Sequence, residues 1–244
     1  MDKEEKDAYQ EKRIEELKAN KDGDKCRFFE KLLIFNELIK ALVEWKNKKY
    51  NQTEEKVLED LSFVPVMKCL YITCLLSIDI KDSNNKSSLF DIFRDFYAFP
   101  RGGVDMDCYY FMDRLPEYTI EYTIADKDGS DKLSKRRNSN SSNNNLAALT
   151  SQINTVPLTE TEQNKIVNDK DRYSKMLNDA IEVLKNASSF PGFKEKGRLS
   201  ELTHMNIWRN AWNSGSPKMT TVYNKDLLEE AIFLRWCIGA LNYE

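Results

Sequence analysis

The chain carries one histidine, His204, and the residues around it are of types that could do chemistry: Ser200 and Thr203 precede it, and Trp208 follows four residues later. A histidine acting as general base needs a nucleophile within reach and a third group that orients the ring. Ser200 or Thr203 could stand as the nucleophile, but no catalytic motif accompanies them. The spacing points instead to architecture. Thr203 is expected to cap the helix that carries Trp208, with His204 hydrogen-bonding across the core and fixing how the terminal segments pack. Trp208 and Trp212, one helical turn apart, read as core or edge-of-core residues rather than as a ligand cage.

The pair Gly102-Gly103 could cradle a phosphate at a helix amino terminus. It lacks the Lys-Ser or Lys-Thr ending of a P-loop and the spacing of a dinucleotide fingerprint, so a tight turn is the reading adopted. Cys26, Cys69, Cys74, Cys108 and Cys237 contain no C-x-x-C pair, and the single histidine is distant from all of them in sequence. Reduced, buried thiols are expected, and a structural zinc site is not. No catalytic, cofactor-binding or metal-binding residue is assigned, and the chain is not expected to be an enzyme.

Composition narrows the partners. The 244 residues are 41% hydrophobic and 32% charged, enough for one large domain or a domain with additions. Lys and Arg number 37 against 40 Asp and Glu, spread along the chain, so no basic footprint marks a nucleic-acid partner. The most apolar stretch, Leu61 to Ile80, is interrupted by Pro65 and Lys68 and ends at Asp79, short of the ~20 apolar residues of a membrane span. It reads as a buried core helix. The opening residues alternate acidic and basic types without an apolar segment, so a cytoplasmic location without secretory signal is expected.

The elements that must position these residues are mainly helical. Met1 to Asn20 is nearly all charged and reads as a solvated helix or a frayed tail. Phe28, Leu32, Phe35, Ile39 and Leu42 recur on one helical face ending near Trp45, and Lys46 to Gln52 is turn-forming. Thr53 opens a helix towards Val64. Pro65 starts another, Val66 to Ile78, apolar over most of its circumference. Leu89, Ile92, Phe93, Phe96 and Tyr97 keep helical spacing up to the Pro100–Gly103 loop, and Val104 to Leu115 resumes it. Tyr118 to Ile124 alternates with period two, predicting a short strand whose partner is sought at Met219 to Tyr223. Ala125 to Asn145 is rich in Asp, Lys, Ser and Asn and is expected to be a mobile surface insertion, its Lys135-Arg136-Arg137 cluster solvated. Thr159 and Glu162 have capping-box spacing at the start of a helix reaching Lys185, and Asn224 is expected to cap a final helix to Ile238.

Three stretches together resemble the Panacea domain, the family that includes the SocA-like antitoxins. They are Met67-Lys68-Cys69-Leu70-Tyr71, then Phe99-Pro100-Arg101-Gly102-Gly103-Val104 with Tyr109 after it, and then Leu199, Ser200, Leu202, Thr203, His204, Trp208 and Ala211. The loop has Gly103 where the family usually has proline. The resemblance implies a mainly α, compact multi-helix domain over residues 53–244 with at most a short two-stranded β element. Residues 1–52 would be an amino-terminal helical extension, and about 126–156 a flexible insertion. It further implies an antitoxin that neutralises a cognate toxin, encoded by an adjacent gene, through direct protein–protein binding, without cofactor or membrane. The alternative on the same fold is a proteolytic adaptor, with a protease as partner, or a phage-related regulator. An enzyme using His204 is the third reading.

Overall fold

The computed structural model describes residues 3–19, 23–82, 84–121, 132–136, 145–153, 156–191 and 196–241. In chain order the first elements are α1 (Lys3–Ala19), α2 (Asp24–Tyr50), α3 (Glu54–Asp60), α4 (Phe63–Leu76), β1 (Phe96–Phe99), β2 (Gly102–Asp105) and α5 (Met106–Tyr110). There follow β3 (Tyr118–Glu121), β4 (Lys132–Lys135), α6 (Asn145–Gln152), α7 (Glu160–Asn186), α8 (Lys196–Glu201), α9 (Asn206–Asn213) and α10 (Lys225–Cys237). The fold is mainly α, with two separate two-stranded antiparallel sheets among the described residues where a single β element was expected. Among those residues no helix is long and apolar enough to cross a membrane.

Contacts group the chain into two units, Met1–Phe63 with Asp107–Arg172, and Val64–Met106 with Tyr173–Glu244. The division therefore falls at Phe63, Met106 and Arg172, whereas the sequence boundary was expected after residue 52.

In the first unit α2 is the core helix. Phe28, Leu32, Phe35, Ile39 and Leu42 are fully buried, as the periodicity requires, and Phe29, Leu33, Ile34 and Leu38 bury further faces of the same helix. The turn expected at Lys46 to Gln52 does not begin there. Helix α2 runs on to Tyr50, with the buried Lys46 ammonium paired to Asp60 at 3.0 Å, and it stops at Asn51, whose φ of 49° is left-handed. Thr53 then caps α3 by accepting from the Lys56 amide. Strand β3 pairs with β4, Tyr118 opposite Lys135, so the partner expected at Met219 to Tyr223 is not the one used. Residues 122–124 of the expected strand lie outside the described residues. So do parts of the expected 126–156 insertion, whose described portion contains β4 and helix α6, with Leu146 and Leu149 buried. Thr159 and Glu162 form the expected capping box at α7, exchanging hydrogen bonds of 2.8 and 3.3 Å.

The second unit is built on α4, where every residue from Pro65 to Leu76 is buried. Its carboxy-terminal carbonyls are closed by a side chain from α10: the buried Arg235 guanidinium donates to the Leu76 and Ile78 carbonyls at 2.7 and 2.9 Å. That is the cation-at-the-carboxy-terminus arrangement a helix dipole favours. The helical spacing from Leu89 to Tyr97 misled: only a 3-10 turn forms at Leu89–Asp91, and Phe96–Phe99 is strand β1. It is held on one side by β2, Ala98 opposite Gly103, and on the other by Pro217 to Met219, whose backbone exchanges hydrogen bonds with Phe96 and Ala98. For the same reason the helix expected from Val104 starts only at Met106. Asn224 caps α10 as expected, accepting from the Leu227 amide at 2.9 Å.

Candidate functional site

Within the second unit the three stretches of the sequence signature meet around the β1–β2 turn. Gly102 occupies φ +124°, a backbone region closed to most side chains, and a Cβ there would stand 2.6 Å from Thr203 Oγ1 and 3.3 Å from Lys68 Nζ. Glycine is thus required both by the turn and by the close approach of two polar side chains. Gly103, opposite Ala98, has Met219 Sδ at 3.0 Å from where a Cβ would lie. Val104 continues the strand, buried opposite Tyr97.

Lys68 rises from the middle of α4 and is 1% exposed. Its ammonium donates to the Arg101 carbonyl and lies 2.7 Å from Ser200 Oγ. Among the described residues no carboxylate pairs with it, and burial together with the charge of Arg101 lowers its pKa to about 8. The neighbouring Cys69 thiol is pushed up to about 12 by burial in the same helix.

The imidazole of His204 donates to the same Arg101 carbonyl, and its Nε2 has no partner among the described residues. One backbone oxygen therefore collects Lys68 from α4 and His204 from the segment between α8 and α9. Burial, then the charge of Lys68, lowers the histidine's pKa, which keeps the ring neutral at physiological pH. The ring stacks on Trp208, centroids 4.0 Å apart, and Trp208 stacks in turn on Trp212 at 5.4 Å. The Trp208 indole Nε1 donates to the Phe99 carbonyl at 3.0 Å. His204 and Trp208 thus tie the tail segment to both ends of the 99–101 turn.

The expected cap on the Trp208 helix is different from the one found. Thr203 is buried, but its hydroxyl donates to the Ser200 carbonyl, closing α8. The second amide of α9, that of Ile207, instead donates to Glu230 Oε1 of α10 at 2.5 Å. Glu230 Oε2 accepts from the buried Tyr71 hydroxyl of α4 at 3.1 Å. The cap therefore comes from a residue remote in sequence, which is why local spacing pointed to Thr203. Leu199 of α8 and Ala211 of α9 are buried, and Leu202, just past α8, is half-buried. Tyr109 is not part of this cluster; it belongs to the first unit, edge-on to Phe63 at 4.8 Å.

Lys68 was read in the sequence as an interruption of an apolar run and as part of the Met67–Tyr71 stretch, with no role of its own. The signal that could have found it is that same interruption: an ammonium in the middle of a helix apolar on all sides must meet polar atoms from elsewhere. Glu230 left no comparable trace. Trp212, expected at the edge of the core, is 46% exposed, and Phe233 and Trp236 of α10 stack on each other at 5.8 Å while 51% and 55% exposed. No protein-family model matches the chain, and neither does any curated protein or any solved structure.

Proposed function

We propose that the chain is a Panacea-like antitoxin that neutralises a cognate toxin by direct binding. The observation that carries this reading is the convergence of Lys68, Gly102, Thr203, His204 and Trp208, drawn from all three stretches on which the resemblance rests, around one turn. Residues that share a signature and also share hydrogen bonds form a structural lock, which fits a scaffold that presents a surface. A surface of that kind also needs aromatic anchors. Trp212, Phe233 and Trp236 are large, exposed and held by stacking, so they lose little side-chain freedom when covered.

The test is co-expression of the full chain with the product of the adjacent gene, followed by co-purification. A stable complex, together with rescue of growth from the toxin, is the expected result. A toxin that vanishes only when a protease is present replaces direct neutralisation with the adaptor reading. Failure of any neighbouring product either to bind or to harm the cell removes the antitoxin reading altogether.

A further inference from the structure

A lysine can serve as a general base only if it reaches its partner uncharged, which requires burial away from carboxylates and a hydroxyl in direct contact. Lys68 meets both conditions. It is buried in the middle of α4, no carboxylate among the described residues pairs with it, and its Nζ lies 2.7 Å from Ser200 Oγ. Ser200, near the end of α8, is half-buried where Lys68 is buried, so the proposed site puts the nucleophile on the more open side of the pair. The Arg101 carbonyl, by accepting one Lys68 N–H, fixes the direction of the amine.

We propose that Ser200 and Lys68 form a serine–lysine pair that transfers acyl groups from carboxylic esters onto Ser200. With the amine neutral, the Ser200 hydroxyl donates along the same 2.7 Å line. As Oγ bonds to the ester carbonyl carbon, its proton passes to Lys68 Nζ. The tetrahedral adduct then breaks its bond to the alcohol oxygen, which leaves with that proton and restores the neutral amine. Water adds to the acyl-serine, gives a proton to Lys68, and the acid departs as Ser200 takes the proton back. Lys68 further faces Cys69 on its own helix and His204 across the turn; both are neutral at neutral pH, so Arg101 is the charge that acts on it. This activity is separate from partner binding and does not rest on it.

The experiment treats the full chain with a fluorophosphonate probe and locates the adduct by intact mass and peptide mapping. The expected result is a single adduct on Ser200, absent in Ser200→Ala, whose rate of formation rises with pH and levels off above about 8. Lys68→Met, if folded, should label roughly 100-fold more slowly or worse, the usual loss on removing a general base. Absence of a Ser200 adduct on the folded protein at pH 9 overturns the proposal. So does a wild-type rate that climbs in proportion to hydroxide through pH 10 without levelling, a result that needs no Lys68 variant. Either outcome would leave the Lys68–Ser200 contact as a purely structural tie.

Discussion

The imidazole of His204 lies nearly parallel to the indole of Trp208, with ring centroids 4.0 Å apart and planes inclined by 21°. A stacked histidine quenches or spares tryptophan emission according to its charge, so the pair reports its own protonation. The folded-state pKa of His204 is lowered, first by burial and then by Lys68, so the unfolded chain binds the proton more readily. The stability this group contributes is complete above the ordinary value of 6.5 and is lost as pH falls from there towards the folded pKa. Tryptophan emission and melting temperature should both inflect below pH 6.5 in the wild type. His204→Asn, which keeps an amide donor for the Arg101 carbonyl, should be flat over the same range; an inflection that persists in it removes His204 as the titrating group.

Gly102→Ala tests the turn itself. Alanine must accept φ +124° and set a methyl 2.6 Å from Thr203 Oγ1, where the buried threonine has little room to move. Backbone strain of this kind costs about 1–3 kcal/mol, and the displaced Thr203 adds to it. The expected readout is a lower denaturant midpoint at unchanged slope. In the double variant Gly102→Ala with Thr203→Ala, compared with Thr203→Ala alone, the loss of Oγ1 should recover part of the midpoint, since the crowding is relieved and the backbone strain remains. Gly197, with open space around it, should tolerate alanine without comparable loss.

These two cases also show where sequence reading succeeds and stops. Thr53, the Thr159–Glu162 box and Asn224 were legible because a cap is made by residues three apart. Helix α4 was legible because its apolar circumference is a local property. Strand β1 was not: Phe96 and Tyr97 continue the helical spacing of Leu89, Ile92 and Phe93, and only pairing with β2 and with Lys218 makes them extended. Arg13 in the charged opening helix was expected in solvent, yet it is buried because its carboxylate partner lies 94 residues away. The site followed the same division. Its words were visible as types and spacing, while the contacts of Lys68 and the capping role of Glu230 are long-range and left no local pattern.

Glu230 joins three helices through two donors, and its burial raises the carboxylate pKa, with the Ile207 amide and Tyr71 hydroxyl pulling the other way. Because the folded value is raised, the folded state holds the proton longer than the unfolded chain. Its stabilising effect is full below the ordinary value of 4.5 and is lost as pH rises through the folded pKa. Stability should therefore decline over that window in the wild type and not in Glu230→Gln. Glu230→Ala should be worse at every pH, since it strands the Tyr71 hydroxyl and the Ile207 amide at about 1–3 kcal/mol each. Urea melts of the three proteins at several pH values between 4 and 7 separate these outcomes.

Asp107 plays the corresponding part in the first unit, with the opposite sign. Burial alone would raise its pKa, but the coulombic pull of Lys31 and the hydrogen bonds and charge of Arg13 override that and hold it at about 2. Arg13 donates from Nε at 2.8 Å and Nη2 at 3.1 Å, Lys31 from Nζ at 2.9 Å, and Tyr9 from its hydroxyl at 3.3 Å. Three of these four donors sit on α1, whose only buried large apolar residue is Leu17, so the carboxylate fastens the helix, together with Gln10 on the Tyr110 carbonyl at 2.7 Å and Lys6 on Asp113 at 2.8 Å. A depressed carboxylate stabilises fully above its ordinary 3.8, and that support is lost as pH falls towards about 2. Amide hydrogen exchange should thus show α1 opening before α2 on acidification. Asp107→Asn should produce the same opening at pH 7, because it breaks the buried Lys31–Asp107 and Arg13–Asp107 pairs, at about 3–5 kcal/mol for a broken buried pair. If α1 in that variant keeps wild-type protection at pH 7, the helix is held by its other contacts, the stack of Tyr9 on Tyr110 and the Gln10 and Lys6 pairs, and not by Asp107.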